Sequence, residues 1–126
     1  MTLKIGNRDY ELHFGIEFLR EIDRNYEMKI ERQGVNIGLG QGLAMAYTKL
    51  ATYNPVAIYD VIKAGTITEQ QKPSNKDIEA FLMETDLEEL VEGFFASWNE
   101  NKLIMRTLAL MTKEAEEAEE EEPGQI

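Results

Sequence analysis

The chain of 126 residues has no cysteine and only one histidine. Without a thiol, disulfide bonds, iron–sulfur clusters, thiolate zinc sites and cysteine nucleophiles are all excluded. The single imidazole, His13, lies on the polar side of a predicted hairpin, with no suitably spaced residues for a Ser-His-Asp triad or a metal cluster. The carboxylates fall on polar helix faces or at helix caps. We therefore predict a non-enzymatic protein without metal or cofactor.

Long hydrophobic runs are also missing. The longest uninterrupted apolar run has five residues, Leu43 to Tyr47, far short of the roughly 20 that a membrane-spanning helix needs. Charged residues, beginning with Lys4 and Arg8, interrupt the start of the chain, which is not typical of a signal peptide. These features predict a cytoplasmic protein that does not enter membranes.

Positive charge is scarce, since 24 Asp and Glu oppose 13 Lys and Arg and the net charge is −11. Such a surplus repels nucleic acid and anionic lipid, and no basic patch offsets it. Seven glutamates lie between residues 113 and 122, whereas the rest of the chain has an ordinary balance of apolar and charged residues. We expect one folded domain over residues 1–112 and an acidic, disordered tail over residues 113–126.

The first fourteen residues have the period of two that is typical of a half-buried β-hairpin. The apolar members of this pattern are Leu3, Ile5, Tyr10, Leu12 and Phe14. A turn centred on Asn7-Arg8 would place Ile5 opposite Tyr10, Leu3 opposite Leu12, and Lys4 opposite Glu11. A second, shorter alternation over residues 27–38, around Arg32-Gln33-Gly34, predicts a second hairpin.

Apolar residues elsewhere recur with helical spacing and predict five or six helices. The expected starts are Gly15, Leu43, Pro55 after an Asn54 cap, the residue after a Ser74 cap, the residue after a Thr85 cap, and about Lys102. The cluster Gly38, Gly40 and Gly42 lacks the residues that complete a phosphate-binding loop, so we interpret it as a flexible turn. The predicted fold class is α+β, mostly helical, with two short hairpins.

The region from Phe94 to Met111 contains more apolar residues than one helical stripe requires. It could form a helix that is buried centrally or in a dimer seam. It could instead form a groove or helix that accepts apolar helices, for which methionine is well suited because thioether side chains repack easily. Under the second interpretation, the candidate partner-binding residues are Leu90, Phe94, Phe95, Trp98, Leu108 and Met111.

Three stretches of the chain carry a resemblance to a known family. They are Asp9 to Asp23 (DYELHFGIEFLREID), Asn54 to Thr66 (NPVAIYDVIKAGT) and Lys72 to Ile78 (KPSNKDI). In order and spacing they resemble the tail assembly chaperones of long-tailed bacteriophages that infect Gram-positive hosts. The resemblance covers roughly residues 1–84 and fades beyond Thr85.

The resemblance implies a non-enzymatic factor that binds the tape-measure protein in the host cytoplasm and keeps its hydrophobic helices from aggregating. It also implies recruitment of tail-tube subunits and absence from the mature virion. Because many copies would coat one long client, weak contacts and self-association are expected. The alternative is an acidic regulatory or inhibitor module that mimics DNA or occupies a host protein.

Overall fold

The computed structural model describes residues 1–31 and 41–110, and these form one antiparallel hairpin and six helices. The elements are β1 (Thr2–Ile5), β2 (Arg8–Glu11), α1 (Ile16–Glu31), α2 (Gln41–Ala51), α3 (Pro55–Gly65), α4 (Asn75–Glu84), α5 (Leu87–Asn99) and α6, which is helical over 102–110. Helix α1 packs against α2 and α3, and α3 also packs against α4. The mostly helical α+β class is therefore confirmed.

The hairpin forms, but its predicted register is wrong by two residues. Ile5 faces Arg8, Leu3 faces Tyr10, and Lys4 faces Asp9 rather than Glu11. Gly6 has a φ of 64°, and a glycine in this conformation permits a two-residue turn that is tighter than the one expected. A shift of two residues keeps each side chain on its face of the sheet, so the predicted apolar face is still the buried one.

The predicted register placed Glu11 opposite Lys4, but in the structure Glu11 lies opposite Thr2. The Thr2 hydroxyl donates a hydrogen bond to its carboxylate, and the amine of Met1 lies 3.1 Å from the same group. These contacts, with the hydroxyl contributing most, lower the pKa of Glu11.

The second predicted hairpin is wrong where the structure describes it. Residues 27–31 continue α1 to Glu31 instead of beginning a strand, and residues 32–38 lie outside the described residues. Two alternating apolar positions, Met28 and Ile30, are too few to distinguish a strand from a helix. Between Ile16 and Gly34 the sequence has no glycine or proline that would end a helix.

Helices α1 and α2 meet at Gly42. A Cβ atom at this position would lie 2.6 Å from the Asp23 Cα and 2.8 Å from the Ile22 carbonyl oxygen. The Gly42 N–H donates a hydrogen bond of 3.0 Å to the Asp23 carboxylate, which supplies a partner to the start of α2. The interpretation of the glycine cluster as a turn is thus wrong for Gly42, which lies inside α2, while Gly38 and Gly40 are outside the described residues.

Helices α3, α4 and α5 each follow a residue whose side chain accepts backbone hydrogen bonds. Asn54 caps α3 by accepting from Val56 and Ala57, and Ser74 caps α4 by accepting from Asp77, as the sequence predicted. The cap of α5 is Asp86 and not the predicted Thr85, because the Thr85 hydroxyl instead donates to the Phe81 carbonyl at 2.6 Å.

Candidate functional site

The candidate residues Leu90, Phe94 and Trp98 lie in the core. They form one stripe along α5, and their positions four residues apart place them on the same helix face. The Trp98 ring lies 5.9 Å from that of Phe14 and 6.0 Å from that of Phe18, both in edge-to-face geometry. This stripe joins α5 to the start of α1 and offers little open surface.

The remaining candidate residues have different environments. Phe95 is half-buried, and its ring lies 4.7 Å from that of Tyr47, which is exposed on α2. Leu108 is half-buried and packs against the core. Met111 lies outside the described residues. Phe95 is therefore partly accessible at the surface beside Tyr47, whereas Leu108 packs on the core with part of its side chain still accessible.

Helix α6 has one buried side and one exposed side that carries both apolar and cationic residues. Ile104 is completely buried, whereas Leu103, Met105 and Leu110 are 45%, 41% and 55% exposed. Lys102 and Arg106 are also exposed, and the helical period places both cations among these apolar side chains. The core thus accounts for only part of the apolar surplus that the sequence showed. The outward side, defined by these five exposed residues, is called the α6 outer face below.

Asn101 fixes the start of α6 to the hairpin side of the domain. Its side-chain oxygen accepts a hydrogen bond of 3.1 Å from the Ile104 N–H, and its side-chain nitrogen donates one of 2.8 Å to the Phe14 carbonyl. One side chain therefore both caps α6 and sets its position relative to α1.

Substitution of Asn101 is expected to separate these two roles. Asn101→Ser retains a cap but loses the bond to Phe14, whereas Asn101→Ala loses both. We expect Asn101→Ala to lower the free energy of unfolding by about 2 kcal/mol and Asn101→Ser by about half as much. Urea unfolding followed by circular dichroism measures both values. An equal loss of unfolding free energy in the two variants would show that the cap contributes nothing to stability.

A second apolar surface, which the sequence analysis missed, is the groove between α3 and α4. It has a volume of about 450 Å³ and is lined by Pro55, Val56, Tyr59, Glu79, Leu82 and Met83. Val56 is 60% exposed and Met83 is 89% exposed, so neither is used by the core. The only sequence signal was that both residues lie off the buried stripes of their helices. These six residues are called the α3–α4 groove below.

Charged groups of both signs lie near Tyr59 in the α3–α4 groove. Partial burial, together with the nearby carboxylates of Glu79 and Asp60, raises the pKa of Tyr59. The ammonium group of Lys63 lies 5.7 Å from the centre of the Tyr59 ring. The groove therefore combines an apolar lining with two carboxylates and one ammonium group close to Tyr59.

The described residues do not bring together a metal site. Within residues 1–31 and 41–110, no three His, Asp or Glu side chains are placed to hold a metal ion. His13 is exposed and lies 3.1 Å from the Glu69 carboxylate. Over the same ranges, no helix has both the length and the apolar content needed to cross a membrane.

Comparison with known proteins identifies the family. The family model described as "Phage tail assembly chaperone protein, TAC" matches residues 2–112, which is most of the chain and includes α6. No curated protein and no solved structure matches the chain. The match extends well beyond the first 84 residues that carried the resemblance. The chain therefore belongs to the phage tail assembly chaperone family, whose members are non-enzymatic chaperones.

Proposed function

We propose that this chain binds the tape-measure protein in the host cytoplasm, keeps its apolar helices soluble and helps to recruit tail-tube subunits. It would then leave before the virion is complete. The observation that carries the proposal is the outward apolar side of α6, in a chain whose family is that of tail assembly chaperones. Exposed leucine and methionine side chains on a helix can pack against the apolar face of a client helix.

The proposal assigns different roles to the two parts of the chain. Residues 1–112 form the chaperone domain, and residues 113–126 form an acidic tail that keeps the complex in solution. Each contact with client can be weak, since many copies on one long client bind through their summed affinity. Self-association of the chaperone would strengthen this effect.

The direct test is co-expression with a candidate tape-measure protein, scoring how much of that client is soluble and how much co-purifies. We expect the client to be soluble only when this chain is present. A client that stays insoluble at full expression of the chaperone would contradict the proposal.

Phe95 offers the sharpest variant for this test, because it lies at the edge of the surface that it shares with Tyr47. We expect Phe95→Glu to weaken client binding by about tenfold, the usual cost of losing an aromatic contact at an interface. Ala96→Glu is the matched control, because Ala96 is exposed next to Phe95 and gains the same charge. Circular dichroism must show that both variants are folded. Equal client yields from Phe95→Glu and Ala96→Glu would show that Phe95 does not contribute to client binding.

Deletion of residues 113–126 tests the acidic-module alternative. A chaperone that binds through its domain should retain most of its client binding without the tail. A module that mimics DNA or occupies a host protein through clustered carboxylates should lose its binding, because seven of its glutamates lie in the deleted segment.

A further inference from the structure

Helix α6 carries two cations at positions that do not favour the helix itself. Lys102 is its first residue, at the end where the helix dipole favours negative charge, and Arg106 follows four residues later. Two like charges at this spacing repel each other. The first turns of α1, α4 and α5 instead hold acidic residues, as the dipole favours. The stability of α6 therefore does not explain why these two cations are there.

Neither cation of α6 forms an ion pair with another residue that the structure describes. Arg20 and Arg24 of α1, by contrast, each pair with a glutamate three residues earlier. Helix α6 contains no Asp or Glu over residues 102–110. In a chain with 24 acidic and 13 basic residues, these two cations lie where no described carboxylate neutralises them.

The helical period places both cations at the middle of the α6 outer face. Lys102 and Arg106 lie roughly opposite the buried side of the helix, whereas the exposed apolar side chains lie to either side of them. Leu103 and Leu110 form one flank and Met105 the other. A helix that packs here with a wholly apolar side would bury two unpaired charges, which is costly. The face therefore requires an occupant with negative charge at the middle of the contact and apolar side chains at both flanks.

The acidic tail of this chain does not meet both requirements. Residues 113–126 contain seven glutamates, but their apolar side chains are only alanine, one proline and Ile126. The tail could neutralise the cations without covering the leucine and methionine side chains beside them. An amphipathic helix that carries carboxylates within its apolar side meets both requirements.

We propose that the α6 outer face selects client helices whose apolar side has two carboxylates at its middle, four residues apart. Such a pair spans about 6 Å of helix axis, the same distance that separates Lys102 from Arg106 along α6. The proposal rests on the proposed function, because it names the chemical class of client segment that the α6 outer face takes. Client helices with a wholly apolar side bind less tightly, since they leave the two cations buried and unpaired.

Three synthetic helical peptides of about 18 residues, or five turns, test the proposal on the full chain. Each has leucines along one side. The first has two glutamates at the middle of that side and two glutamines on the opposite side; the second has glutamine at all four positions; the third exchanges the glutamates and glutamines of the first. The first and third therefore have the same composition and net charge. Fluorescence anisotropy measures the dissociation constants.

We expect the first peptide to bind at least about tenfold more tightly than the second or the third. The net charge of −11 repels acidic peptides in general, so it cannot produce this preference. The preference should also weaken as salt concentration rises.

Reversing the charge of the α6 outer face gives the decisive measurement. The double variant Lys102→Glu with Arg106→Glu should lose its preference for the first peptide. It should instead prefer a fourth peptide, in which two lysines replace the central glutamates. Lys72→Glu with Lys76→Glu is the matched control, because both lysines are exposed outside α6 and the net charge changes equally. Circular dichroism must show that both double variants are folded.

Several results would overturn the proposal. Equal binding of all the peptides would show that the face does not distinguish charge, and equal binding of the first and third would show that the position of the carboxylates does not matter. Absence of binding up to about 500 µM would show that the face does not take a helix of this class. If deletion of residues 113–126 raised the affinity for the first peptide about tenfold, the face would belong to the tail.

Co-expression with the tape-measure protein keeps this inference separate from the function. If the Lys102→Glu, Arg106→Glu chain renders that client as soluble as the wild type does, the charge selection is wrong and the chaperone function stands. If the peptides bind as expected but the client stays insoluble, the charge selection stands and the proposed client is wrong. If no peptide binds and the double variant reduces association of the chain in sedimentation velocity, a second copy and not a client covers the face.

Discussion

Replacing Trp98 by alanine is expected to lower the free energy of unfolding by about 4 kcal/mol, because it empties a large buried site. Trp98 is 1% exposed, and its ring meets those of Phe14, Phe18 and Phe95 at 5.9 to 6.0 Å. Loss of the indole removes its contacts between α5 and the start of α1, although Phe94 still packs on Phe14. Urea denaturation followed by circular dichroism gives the value.

Trp98→Phe is the matched variant for this experiment. The buried indole N–H of Trp98 has no hydrogen-bond partner among the described residues, and phenylalanine removes this donor while keeping an aromatic ring. We expect a loss of only about 1 kcal/mol, because the relief of an unsatisfied donor offsets part of the lost packing.

These two variants also test the interpretation of Trp98 as a partner-binding residue. If Trp98 acts through the core, client binding should follow stability, and Trp98→Phe should bind client almost normally. If Trp98→Ala folded with unchanged stability but no longer bound client, Trp98 would contact the client directly. That outcome would contradict the assignment of its main role to the core.

Replacing Gly42 by alanine is expected to destabilise the domain by about 3 kcal/mol. The added methyl group would lie 2.6 Å from the Asp23 Cα, and backbone cannot move aside as a flexible side chain can. Helix propensity alone predicts the opposite sign, since alanine inside a helix is favoured over glycine by about 1 kcal/mol. The sign of the change in stability therefore shows which effect dominates, the close approach of α1 and α2 or helix propensity.

Gly15→Ala is the control for Gly42→Ala. No atom outside its neighbours lies within 4 Å of a Cβ at Gly15, and its φ is not in the left-handed region. We expect its stability to change by less than about 1 kcal/mol, or to rise slightly through a less flexible unfolded chain. Thermal unfolding of both variants beside the wild type makes the comparison. A Gly42→Ala chain as stable as the Gly15→Ala chain would contradict the tight helix contact.

Local signals explain why much of the secondary structure could be predicted. The caps at Asn54 and Ser74 and the start of the last helix at about Lys102 depend on residues a few positions apart, and each was correct. The predictions failed where a local pattern was short or had two solutions. Met28 and Ile30 fitted a strand as well as a helix, and Thr85 and Asp86 were both able to cap α5.

The apolar surplus in α5 and α6 shows a different limit. Sequence alone located it correctly but could not divide it between core and surface, because helical period gives an apolar face and not the element that covers it. Contacts with Phe14 and Phe18 assigned Trp98 to the core. The α3–α4 groove was missed because Val56 and Met83 lie far apart in the chain, and only the packing of α3 on α4 brings them to one surface.

The sequence by itself determined the mostly helical α+β class, the N-terminal hairpin and the resemblance to tail assembly chaperones, which the family match confirmed. Those properties depend on composition, periodicity and short-range order along the chain. Only the tertiary structure decided the hairpin register, the close contact at Gly42 and the separation of buried Trp98 from exposed Leu103. These depend on which distant residues pack together, and packing is determined by the whole chain at once.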